Sequence, residues 1–154
     1  MRGPLDGPSC EVSVGARENK RLVRRFYEEV VNTGHVDGIA GFIAPECVET
    51  DGKVRVLSGI DGMANHVLAV REVYPDLRLT IERQIAEGDW VVTVVTARGT
   101  HSGSWLGMKP TGRSLVFTGV NVDKVREGRI VEHGGAANML EPFLEAGALR
   151  VVSS

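Results

Sequence analysis

Several things are scarce in this chain of 154 residues: it holds two cysteines, 5% aromatic residues and a formal net charge of only −2. Cys10 and Cys47 make no metal-ligand spacing and no disulfide framework, so they read as two reduced thiols of an intracellular protein. A charge so near zero gives no field for a polyanion or an anionic bilayer, which argues against nucleic acid and membrane as partners. No apolar run approaches the ~18 residues of a membrane span, and the N-terminus has no signal-peptide core. Phosphate-cradling glycine patterns, paired histidines at metal spacing and a nucleophile elbow are all missing, so neither a metal nor a tightly bound cofactor is expected. What remains is 42% apolar and 25% charged residues, the composition of one soluble, cytoplasmic domain large enough to bury a core without staples.

The chain changes character along its length. Residues 1–16 carry Gly3, Pro4, Gly7, Pro8 and Gly15 with little apolar content, and read as a mobile tail before a domain over 17–149 and a short tail over 150–154. From Arg17 the positions Leu22, Phe26 and Val30 recur at helical spacing, until Asn32-Thr33-Gly34 stops the helix. His35 to Ile43 reads as a second, short helix closed by Pro45. Cys47 to Thr50 reads as a strand turned by Asp51-Gly52-Lys53, and Gly59 to Val73 as a third helix with Ile60, Met63, Val67 and Val70 on one face. Leu77, Leu79 and Ile81 then open a meander, followed by the β-branched run Trp90 to Thr96, the run Leu115 to Val125, and Arg129 to His133. Helices first and long antiparallel strands after them predict an α+β fold.

This order resembles the SnoaL-like polyketide cyclases of the nuclear transport factor 2-like, ketosteroid isomerase-like superfamily. The motifs that carry the resemblance are Gly88-Asp89, Gly99-Thr100-His101-Ser102-Gly103, Pro110-Thr111-Gly112-Arg113 and the segment Glu127 to His133. It spans about Glu18 to Leu149 and implies a cone: a curved antiparallel sheet around a pocket, closed by three N-terminal helices. It also implies a homodimer formed through the open face of the sheet, and a polycyclic or polyketide-type small molecule as substrate.

Candidate site residues follow from polar side chains on strand faces that otherwise pack inward. Within Ser114 to Val125, Leu115, Phe117, Gly119, Asn121 and Asp123 share one face, and Val116, Val120 and Val122 the other. Both faces are partly apolar, so alternation does not say which lines a pocket. By resemblance to the isomerases, Asn121 takes the oxyanion-binding position and Asp51 that of the proton-abstracting carboxylate, although Asp-Gly is also an ordinary turn pair. Asp123 shares the face of Asn121 or is a solvated strand end. His101 belongs to the family signature, as a proton shuttle or as a tie for the loop that follows. His133, by its matching face, is a second acid or donor, or a structural histidine. Trp105 offers a stacking surface or lid over a planar ligand, or a loop anchor. Tyr27 and Asn138 complete the expected substrate contacts.

One departure matters. Relatives usually follow Glu-His with a Trp and then an Asp that serves as acid/base, where this chain has Gly134-Gly135-Ala136-Ala137-Asn138. Small residues there hollow the pocket. Asn138 exchanges no proton near neutral pH, and cofactor-free hydroxylases of the family also lack that Asp. The expected function is therefore acid/base ring closure or isomerisation of a polyketide-type intermediate. The alternatives are a cofactor-free hydroxylase or epoxide-opening enzyme, and a ligand-binding cone without turnover.

Overall fold

The computed structural model describes residues 14–152. Helix α1 runs from Val14 to Arg25 and passes without a break into a π-helical turn, Phe26–Val31, whose end is closed by the Asn32 amide bonding to Tyr27 O at 2.9 Å. The wider turn buries both Phe26 and Tyr27, neighbours in sequence that an ordinary amphipathic stripe would splay apart. The carbonyls left at this end are taken up by Arg71, whose guanidinium donates to Val31 O and Asn32 O at 3.2 Å each. The helix thus starts three residues before the expected Arg17. Of the expected tail over residues 1–16, residues 1–13 lie outside the described residues.

The segment His35 to Ile43 is not a helix. Only a 3₁₀ turn, Ile39–Gly41, forms there, and the chain enters strand β1, Ile43–Asp51, directly. Pro45 sits inside this strand where its register against the neighbouring strand breaks, between Ile43 and Val48, so its missing donor is tolerated. A short strand β2, Val54–Leu57, returns beside it, and helix α2 covers Gly59–Val73 as expected. Four long strands follow: β3 Arg78–Glu87, β4 Trp90–Thr100, β5 Ser114–Arg126 and β6 Arg129–Ala137, then helix α3, Leu140–Glu145.

The sheet order is β2-β1-β6-β5-β4-β3. It is mixed rather than antiparallel throughout, because β1 runs parallel to β6. The helices lie on one face, and period-two alternation then decides what each strand presents to them. On that face the register aligns Glu49 of β1, His133 of β6, Asp123 of β5 and Val91 of β4 in a single row. The next row brings Gly135 beside Asn121 and Thr93. Three polar groups therefore meet on the covered face of three different strands, where burial is costly unless they partner one another.

Candidate active site

Two adjoining cavities lie between the sheet and the helices. The inner one, about 200 Å³, is lined mainly by apolar side chains such as Phe26, Met63, Val67 and Leu79. The wider one, about 850 Å³, adds Glu49, Thr50 and Asp51 from β1 and Trp105 from the β4–β5 loop. His66, Asn121 and His133 line both. An apolar chamber with a few convergent polar groups is the ordinary form of a small-molecule site.

At the junction Asp123, fully buried, is held from two sides. Tyr27 donates its hydroxyl to Asp123 Oδ2 at 3.0 Å, and His133 Nδ1 lies 2.7 Å from Asp123 Oδ1. Burial first, then the charge and hydrogen bond of Asp123, push the Tyr27 phenol well above its usual range, with the Asn121 amide opposing them weakly. Tyr27 therefore stays a donor at any working pH. For His133 the largest influence is burial, which lowers its pKa. The charge of Asp123, its hydrogen bond and the charge of Glu49 together outweigh it, so the net shift is upward from 6.5. With Nδ1 engaged by the carboxylate, Nε2 is the nitrogen that can present a proton to a ligand.

A second carboxylate–imidazole pair stands beside the first. His66, on α2, places Nδ1 3.4 Å from Glu49 Oε2, and its ring meets that of His133 edge-on at 6.1 Å between centroids. Glu49 Oε1 is buried and has no partner among the described residues. The negative character of this interior reaches Cys47, whose thiol is pushed up to about 12 by burial, then by Glu49 and Asp123, so it is inert as a nucleophile. Among the described residues no three His, Cys, Asp or Glu side chains converge as metal ligands.

The structure brings Asp123, His133, Asn121 and Tyr27 together. It does not bring His101 to them. His101 is fully buried, lines neither cavity, and sits between the rings of Tyr74 and Phe143 with Nδ1 3.2 Å from Thr111 Oγ1. Its backbone is also bonded both ways across the loop, to Arg113 and Gly112. These contacts are those of the loop tie that the sequence offered beside a proton shuttle. Asp51 lines the wider cavity at the exposed end of β1, apart from the buried Asp123. Trp105 lines the same cavity and packs on Phe143 at 5.7 Å. Asn138 is exposed, lines neither cavity and hands its backbone N–H to Thr118 O.

Glu49 and His66 were not among the expected site residues, although the signal was present. Cys47, Glu49 and Asp51 alternate on one strand face, and His66 lies three residues after Met63 and four before Val70 on the apolar stripe of α2. Gly135 also has a role that composition alone does not reveal. A Cβ there would stand 2.5 Å from Asn121 Oδ1 and 2.7 Å from Val120 O, so only glycine leaves the Asn121 amide its place.

Comparison with known proteins agrees with this fold. The family model described as SnoaL-like polyketide cyclase matches residues 21–145. The aklanonic acid methyl ester cyclase AcmA of Streptomyces galilaeus is 32% identical over 120 residues, which is 75% of this chain and 81% of that protein. Among solved structures, AclR of Streptomyces galilaeus, a proposed hydroxylase, superposes with TM-score 0.76 and 27% identity over 90% of each chain. IdmH of Streptomyces antibioticus, a proposed polyketide cyclase, gives TM-score 0.71 and 28% identity over 84% of this chain and 98% of that one.

Proposed function

This chain belongs to the SnoaL-like polyketide cyclase family, and from that premise we propose that it closes a ring in a polyketide-type substrate by proton transfer alone. The observation that carries this reading is the imidazole of His133, held at Nδ1 by a buried carboxylate and lining both cavities. In an intramolecular aldol closure an α-carbon loses its proton, and the electron pair of that C–H bond forms an enolate. The enolate carbon bonds to a second carbonyl carbon, whose π pair moves onto oxygen. That oxygen takes the proton from His133 Nε2, and the product is an isomer of the substrate. Asp123 stabilises the imidazolium before transfer, Tyr27 holds Asp123, and the Asn121 amide lies beside the same space to donate to the developing oxyanion.

The test uses aklanonic acid methyl ester, the compound for which the relative AcmA is named. The expected product has the mass of the ester and one new ring, and His133→Gln forms none of it. A product heavier by one oxygen atom would favour hydroxylation, the reaction proposed for AclR. Tight binding with the ester returned unchanged would favour the non-catalytic cone.

We also propose that two copies pair through the uncovered face of the sheet. Ile85, Val116 and Val120 are 58%, 43% and 43% exposed there, and this apolar surface is what a partner would cover. Light scattering at micromolar concentration should give twice the chain mass; a monomer mass rejects the pairing.

A further inference from the structure

If His133 supplies a proton, ring closure still needs a group that takes one, and the first pair does not provide it. Asp123 is fully buried behind His133 and Tyr27, with both oxygens engaged. Asp51 stands at the rim, at the exposed end of β1. Of the titratable side chains lining both cavities, His66 and His133 are the two. We propose that His66, oriented by Glu49, is the proton acceptor that forms the enolate, acting through Nε2 beside the donor His133.

The argument is one of tautomers. A carboxylate only accepts hydrogen bonds, so Glu49 Oε2 at 3.4 Å favours the imidazole form that carries its hydrogen on Nδ1. In that form Nε2 holds a lone pair, which is what a general base needs. His133 is held at the same ring atom by Asp123, but there the carboxylate is buried and closer, and it shifts the imidazole pKa upward from 6.5, toward the form that can give a proton. Two histidines fixed alike at Nδ1 are thereby given opposite tasks by the strength of their partners. Their rings, 6.1 Å apart and edge-on, present acceptor and donor to the two reacting groups of one folded substrate, the α-carbon that loses its proton and the oxygen of the carbonyl that is attacked. The proton leaves that carbon for His66 Nε2 and the C–H pair becomes the enolate double bond, with no oxidant or further reactant. Glu49 is a positioning residue: it lines the wider cavity only, and one of its oxygens faces His66.

This inference rests on the ring-closing reading, and its test separates the two. In one arm, ¹⁵N NMR of the full chain labelled at histidine reads tautomers with no substrate present. His66 should carry hydrogen on Nδ1 and a lone pair on Nε2, and Glu49→Leu should remove that preference; a hydrogen on Nε2 of the parent overturns the proposal. In the other arm, the chain is given aklanonic acid methyl ester in D₂O. His66→Ala should lower kcat by about 10²–10⁴-fold and stop deuterium entering the α position, and added imidazole should restore part of the rate. If His133→Gln abolishes turnover while His66→Ala keeps it, the ring-closing reading stands and this one falls. If the parent leaves the ester unchanged, the ring-closing reading loses its substrate and the tautomer arm alone decides the role of His66.

Discussion

His101 and His133 both stand in the long-stranded half of the chain, the first fully buried and the second half-buried, and their surroundings make them different molecules. His133 meets a carboxylate at 2.7 Å and lines the cavities. His101 meets a threonine hydroxyl at 3.2 Å, two aromatic rings and its own loop, and its Nε2 has no partner among the described residues. A hydroxyl can act as donor or acceptor toward the ring, whereas a buried carboxylate only accepts and favours the protonated ring beside it. The proposed chemistry needs an imidazole with a charged neighbour and an open face. His133 has both, and His101 has neither.

The largest effect that can break this contrast is removal of the charge at Asp123. In Asp123→Asn the burial that lowers the His133 pKa remains, while its main opponent is gone. Kcat at neutral pH should fall by about 10²–10⁴-fold, the usual range for a lost general acid. The parent rate should decline as pH rises through a point above 6.5, and that decline should move below it in the variant. The stability sign agrees. A raised folded pKa gives stabilisation that is complete below the unfolded value, about 6.5, and is lost as pH rises through the folded one. Urea titrations of the parent at two pH values should show this loss, and the same loss in Asp123→Asn would show that another group is responsible.

Next in size is His101→Ala. It empties a fully buried ring site between Tyr74 and Phe143, so stability should drop by about 2–3 kcal/mol. His101→Leu should cost less, because it keeps most of the volume and removes a polar nitrogen that has no partner. Phe143 links the His101 ring to that of Trp105, so loosening it should raise KM while leaving kcat of the folded enzyme nearly intact. A kcat that collapses in well-folded His101→Leu would reverse the assignment of the two histidines.

A smaller change tests the His133 side from within. Gly135→Ala places a methyl 2.5 Å from Asn121 Oδ1, which must shift the amide away from the oxyanion position. Kcat should fall by roughly tenfold, less than an oxyanion donor lost outright, with the pH dependence unmoved because Asp123 and His133 are untouched. A moved pH profile would mean that the methyl reaches the dyad.

How much of this was legible beforehand follows from the range of the interactions. The four long strands and α2 were readable because period-two and 3.6-residue patterns are local. The parallel pairing of β1 with β6 joins segments about 85 residues apart, and nothing local in Cys47 to Thr50 announces it. The same pairing decides that Glu49 stands beside His133, so the second dyad stayed hidden although its strand face was countable. Val54-Arg55-Val56-Leu57 forms a strand without a sequence signature, because four exposed residues after a turn carry no burial pattern. Asp123 could be read only as pocket or strand end, since its partners Tyr27 and His133 lie 96 and 10 residues away. His101 stands in the Gly99-to-Gly103 motif, and a motif does not tell a tie from a catalyst.

The smallest expected effect concerns Leu106, at the tip of the loop that His101 anchors. Its φ is 49°, the left-handed region, and it is 80% exposed between Trp105 and Gly107. A leucine there carries strain of about 1 kcal/mol that no burial offsets. Asparagine occupies the same conformation more readily, because its short amide bonds to nearby backbone. Leu106→Asn should therefore raise stability by about 0.5–1 kcal/mol, or about 2 °C in Tm for a domain of this size. If the loop only holds Trp105 at the cavity rim, KM stays at the parental value, because Trp105 keeps its contact with Phe143. If Leu106 itself folds over the substrate, the gain in Tm comes with a raised KM, and the strain is then retained for binding. A lowered Tm would mean that the leucine makes a contact in solution that outweighs its strained backbone.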